Sequence, residues 1–128
     1  MGVPILILGE SGSGKSSSLR NFEPDEVGIF NVASKPLPFR KPLKKVDRAG
    51  YKTIIKALSK PSLKRYVIDD SQYLLVFEAF DKAKEVGYGK FTDMAKNFYD
   101  FCSSSSRIRH PTASSISCIM CRRTSRAR

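Results

Sequence analysis

One eight-residue segment constrains this chain more than any other: Gly9-Glu10-Ser11-Gly12-Ser13-Gly14-Lys15-Ser16 fits G-x-x-x-x-G-K-[ST] without a mismatch. Each position has a chemical reason. Glycines let backbone N–H groups converge on a phosphate where a side chain would block its approach. A helix opening at Lys15 would point its positive end at the same anion. Lys15 can reach the β- and γ-phosphates of a nucleotide, and the Ser16 hydroxyl can ligate Mg²⁺. The segment needs a strand before it and a helix after it. Val3 to Leu8 is a nearly uninterrupted apolar run, of the kind covered on both faces in a parallel sheet. Lys15 to Phe22 can open the helix. The expected binding residues are therefore Gly9, Glu10, Ser11, Gly12, Ser13, Gly14, Lys15, Ser16 and Ser17.

Further along, Val27 to Val32 and Leu63 to Ile68 read as a second and third strand. A proline-bearing basic loop from Ser34 to Asp47 follows the second. Gly50 to Leu58 reads as a short helix with Ile54, Ile55 and Leu58 inward. Two aromatic stripes at helical spacing come last, Tyr73, Val76, Phe77, Phe80 and Ala83, then Phe91, Met94, Ala95, Phe98 and Phe101. They read as core packing, and left uncovered they would promote association. Alternating strands and helices predict an α/β fold with a parallel sheet. The third strand runs into Asp69-Asp70. In P-loop proteins such a strand neighbours the loop strand and its acid holds Mg²⁺. That role falls to Asp69, with Ser16 as the second metal ligand. Asp70 is placed to polarise an attacking water, or else to cap the next helix. Lys15 and Asp70 are thus the expected catalytic pair. Asp47-Arg48-Ala49-Gly50 matches the D-x-x-G of GTPases, but Lys44-Lys45-Val46 is no buried strand and no N-K-x-D occurs, so ATP is expected.

The phosphate loop, Gly28-Ile29-Phe30-Asn31-Val32 running into Lys35-Pro36-Leu37-Pro38-Phe39, and Val67-Ile68-Asp69-Asp70-Ser71-Gln72-Tyr73-Leu74 together resemble phage-encoded AAA/RecA-like ATP-binding proteins. These include the compact single-strand-annealing recombinases of phages, and the likeness covers roughly residues 3 to 101. The resemblance implies a P-loop NTPase fold with a RecA-like parallel sheet and flanking helices, Mg²⁺-ATP binding and hydrolysis, and homo-oligomers. It also implies a role in DNA recombination or replication inside a phage-infected or prophage-carrying bacterial cell. The family continues past the last helix into a fourth core strand, often ending in polar residues that sense the γ-phosphate. Here the apolar pattern stops at Cys102, so the chain reads as the N-terminal portion of that fold. Two rivals share the loop. A small-molecule or nucleoside kinase should carry a substrate-side acid after the second strand, where Asn31 and Lys35 stand. A nucleotide-binding module would bind without turnover.

Charge divides the chain at the same place. Lys and Arg total 23 against 12 acids, a net +11. Residues 102–128 hold six of those bases and no acid, so they carry +6 and residues 1–101, the ATP-binding core, only +5. Three readings of 102–128 stay open. It is an Arg-rich tail without fixed fold that meets nucleic-acid phosphates. Or Cys102, His110, Cys118 and Cys121 form a zinc site, with spacings of no common finger. Or it is out of frame: serines written TCN read as Phe, Leu, Ile or Val one base earlier, which would restore an apolar strand over 112–120. In that case the written tail has no evolved function. Lys35 to Arg65 carries eleven bases and one acid, Asp47. That stretch is either a face for single-stranded DNA, with Phe39 and Tyr51 stacking on bases, or a solvated surface. No stretch approaches the ~20 apolar residues of a membrane span, and Met1-Gly2-Val3-Pro4 lacks a basic leader, which points to the cytosol.

Overall fold

The computed structural model describes residues 3–10, 12–106 and 116–122. Five strands form one sheet in the order β1-β5-β4-β2-β3, with every neighbouring pair parallel. They are β1 (Val3–Gly9), β2 (Val27–Asn31), β3 (Lys44–Asp47), β4 (Arg65–Asp69) and β5 (Ile116–Arg122). Three helices flank them: α1 (Tyr51–Ser59), α2 (Gln72–Asp81) and α3 (Gly89–Ser106). The architecture is therefore α/β with a parallel sheet, as the alternation of elements predicts. No helix among the described residues is long and apolar enough to cross a membrane.

Period-two alternation sorts the strands' side chains onto two faces. Phe30 and Val32 join Tyr66 and Ile68 on the face covered by α1, α2 and α3, with Ile54, Leu58, Leu74 and Phe101 closing that cluster. Val27, Ile29 and Val67 face the other way, against Leu19 and Leu43. Parallel neighbours need a crossover of about a dozen residues. Between β2 and β3 this crossover is irregular chain, and its Leu37, Phe39 and Leu43 pack on the second cluster in place of a helix.

Two strands escape the apolar-run signal. β3 is Lys-Lys-Val-Asp and exposed throughout, as befits an edge strand whose lysines discourage further pairing. β5 reads Ile-Ser-Cys-Ile-Met-Cys-Arg, too polar to register as a buried run, yet it lies between β1 and β4. The acid-bearing strand is thus one strand removed from the loop strand, not its neighbour. Within 102–128, residues 102–106 complete α3 and Ile116–Arg122 form β5. Cys102 is half-buried. His110 and the side chains of Cys118 and Cys121 lie outside the described residues, and with them the zinc reading.

Coverage also departs from expectation. β1 sits at the sheet edge, and Ile5, Leu6 and Leu8 are exposed rather than covered on both faces. Ile55 is exposed beside the buried Ile54 and Leu58. On α2 the residue that enters the core is Leu74, while Val76, Phe77 and Phe80 face outward. On α3 Met94 and Phe101 are buried and Phe91 is exposed. Periodicity reports that a stripe exists; which stripe finds a partner depends on how the helix lands on the sheet.

Candidate phosphate site

All five strands point the same way, so their carboxyl ends share one edge, where open parallel sheets bind ligands. The sequence-predicted residues meet there. β1 ends at Gly9 and the loop turns through Gly12 and Gly14 at φ +78° and +89°, a region that side-chain-bearing residues rarely adopt. Gly9 is restricted by space instead, because a Cβ there would lie 2.7 Å from Ser13 Oγ. Ser11 lies outside the described residues. Glu10 accepts through its carbonyl from Ser13 N–H at 3.3 Å, closing the turn.

After the loop the chain makes a 3-10 helix, Ser16–Asn21, shorter than the helix the sequence suggests. Three consecutive serines explain this, since their hydroxyls compete for the backbone, as Ser18 Oγ does by donating to Lys15 O at 2.6 Å. Lys15 folds back over the loop. Its Nζ donates to the carbonyls of Gly9 (2.8 Å) and Glu10 (2.7 Å) and to Ser13 Oγ (3.3 Å).

At the site, the loop meets the acid-bearing strand through Ser16 and Asp69. The Ser16 hydroxyl donates to both carboxylate oxygens, at 2.9 and 3.0 Å, across 53 positions of sequence. Asp69 is 6% exposed. Burial pushes its carboxyl above the usual aspartate range, against the Ser16 hydrogen bond, and the adjacent Asp70 charge adds to the rise. A buried acid that accepts from a neutral hydroxyl is suited to meet a cation. The pair also offers hard oxygen donors. Mg²⁺ takes one or two protein ligands of this kind and completes its shell with phosphate and water, so the donor set fits that ion. Among the described residues no cluster of three or more His, Cys, Asp or Glu could hold a metal.

Asp70 departs from the plain expectation of a free catalytic acid. It sits at φ +55°, a left-handed turn that aspartate tolerates, as β4 passes toward α2. Its Oδ2 accepts from Lys35 Nζ at 3.0 Å, and Lys35 also donates to Tyr73 OH at 3.3 Å, its ammonium 4.7 Å from the ring centre. The Asp70 hydrogen bond holds the Lys35 ammonium above its ordinary pKa against some loss from burial. The Lys35 side chain is 51% exposed, so such a pair contributes only about 0–1 kcal/mol. Lys35 lies in a segment that carries the resemblance, but motif spacing gives it no part in the site. Asn31 holds it there: buried at the end of β2, its Nδ2 donates to Lys35 O (2.6 Å) and Asp47 Oδ1 (2.9 Å).

Gly12, Gly14, Lys15 to Ser17, Lys35, Asp69 and Asp70 line one cavity of about 270 Å³, sized for a phosphate tail rather than a whole nucleotide. No family model matches the chain, and no curated protein matches it either. A larger cavity of about 980 Å³ opens among α1, α2 and α3 and shares no residue with the first. It contains none of the motif residues, so size does not mark the site. Asp47 does not line the phosphate cavity, and pairs instead with Asn31 and Lys45. Phe39 packs on the second core cluster and Tyr51 packs edge-on against Phe101 at 5.3 Å, so neither ring is presented as a free stacking platform. The lysines at Lys52, Lys56, Lys60 and Lys64 are exposed.

Proposed function

We propose that this chain is a Mg²⁺-ATP-binding P-loop ATPase of the AAA/RecA-like kind, acting in phage DNA recombination or replication. The observation that carries the reading is the Ser16–Asp69 contact, which joins the loop to the acid-bearing strand at the carboxyl edge of a parallel sheet. A glycine-serine linker that merely contained a lysine would have no reason to bring its last serine onto a buried carboxylate. Backbone N–H groups from Gly12 to Ser16 would cradle the phosphates, and Lys15 would exchange its loop carbonyls for β- and γ-phosphate oxygens. Ser16 and Asp69 would hold Mg²⁺, which neutralises phosphate charge when bound. In hydrolysis water attacks the γ-phosphorus, the bond to the β,γ-bridging oxygen breaks, and Asp70 takes the water proton. β5 ends at Arg122 in register with Gly9, in the place the resemblance gives to a fourth core strand. Single-stranded DNA and further copies of the chain are the partners this reading implies.

A nucleotide-binding module without turnover is the second reading, favoured by one observation: Asp70 is paired with Lys35. Binding of ATP by fluorescence titration, with phosphate release measured alongside, separates the two. Lys15→Ala is expected to abolish binding, and an unchanged ATP affinity in that variant refutes the site.

A further inference from the structure

We infer that Lys35 is the residue that recognises the terminal phosphate of the nucleotide, trading its contact with Asp70 for that phosphate. This deepens the proposed function and rests on it. Three observations place Lys35 in that role. First, it lines the 270 Å³ cavity together with the loop, so the cavity holds two lysines from separate parts of the chain. Second, its backbone is fixed and its head is not. Buried Asn31 grips its carbonyl at 2.6 Å, and Ser34 before it turns at φ +55°. The ammonium, half exposed, is held by one exchangeable ion pair and the Tyr73 hydroxyl. Third, the acid it pairs with is Asp70, to which the proposed function gives the water proton.

A phosphate dianion entering the cavity is a stronger and more highly charged acceptor than a single carboxylate, and Lys is a compact point charge that can turn about its stem to follow it. Lys15 lies over the loop and suits the inner phosphates, whereas Lys35 lines the same cavity from beside Asp70. A diphosphate held by the loop would leave Lys35 on Asp70. A triphosphate would draw Lys35 away, and the same movement would free the Asp70 carboxylate for the water. Lys35 thus makes the site discriminate triphosphate from diphosphate and keeps Asp70 neutralised until the triphosphate arrives. Neither the loop motif nor the acidic pair assigns such a cation in the same chain.

The test is equilibrium binding of Mg²⁺-ADP and of a non-hydrolysable Mg²⁺-ATP analogue to the full chain, its Lys35→Met variant and its Asp70→Asn variant. Methionine keeps an unbranched stem and removes the charge, and circular dichroism checks the fold. Lys35→Met should bind the triphosphate analogue about tenfold or more weakly while ADP affinity stays within twofold, as expected for loss of one charged hydrogen bond. Asp70→Asn, which removes the competitor, should hold the analogue at least as tightly as the wild type. Equal losses for both nucleotides in Lys35→Met, or no loss for either, overturn the inference while leaving the loop site standing. A wild type that binds neither nucleotide overturns the proposed function and this inference together.

Discussion

Strands β1 and β4 both run apolar toward the site and both end in a motif, yet the sheet treats them differently. β4 is central, paired on both sides, with Tyr66, Val67, Ile68 and Asp69 buried. β1 is an edge strand with Ile5, Leu6 and Leu8 exposed, paired only with β5 among the described strands. The acid therefore stands on the rigid half of the site, and the loop stands on the half with less packing behind it. What joins them is Ser16 on Asp69. The contrast teaches that an apolar run specifies a strand without specifying how deeply it is covered, and that the precision of the Ser16–Asp69 corner comes from β4.

Truncation should break the symmetry first. Ile68→Ala is expected to cost about 2–5 kcal/mol in urea unfolding, because Ile68 is fully enclosed between β5, β2 and the helical layer. Leu6→Ala on β1, where Leu6 is mostly exposed, should stay within about 0.5 kcal/mol. Similar costs for the two would mean that β1 is covered in solution by something outside the described residues. A middling effect is expected from Asp69→Asn. It removes a buried charge and leaves an amide oxygen to accept from Ser16, so thermal unfolding of the ligand-free protein should shift upward by about 0.5–2 kcal/mol. A loss of stability instead would show that Asp69 serves the fold rather than a ligand.

The smallest effect belongs to Tyr51, away from both strands' ends. Its hydroxyl and Glu78 Oε2 are buried without hydrogen-bond partners among the described residues. Burial, helped by the Glu78 charge, pushes the Tyr51 phenol up to about 12. Tyr51→Phe should leave stability unchanged or raise it by about 1 kcal/mol at neutral pH, since no partner is lost. The folded state holds this proton more tightly than the unfolded chain, whose phenol titrates near 10. Wild-type stability should accordingly fall as pH rises from about 10 toward 12, and the phenylalanine variant should lack that part of the fall. Ultraviolet titration of the phenol with chemical unfolding at each pH checks the sign.

The parts legible in the sequence were those fixed by local chemistry. Gly12 and Gly14 occupy positions where backbone conformation demands glycine, Ser16 closes the loop motif and Asp69 ends an apolar run, so motif spacing found them. Lys35 was not assigned because its role arises from a loop that Asn31 ties to β3, a contact invisible at the level of residue order. β3 and β5 escaped because neither is an apolar run. The α2 stripe misled for a geometric reason: Val76, Phe77 and Phe80 are exposed, while Leu74 and the half-buried Tyr73 meet the core. Periodicity carries no information about which flank a neighbouring helix leaves open.

The account turns on the metal corner, and an ATP titration with Mg²⁺ or with EDTA tests it for the full chain and for Asp69→Asn. It predicts that the wild type binds ATP at least about tenfold more tightly with Mg²⁺, and that Asp69→Asn binds equally in both conditions. ATP binding that is indifferent to Mg²⁺ in the wild type, or a Mg²⁺ dependence that survives in Asp69→Asn, would contradict it.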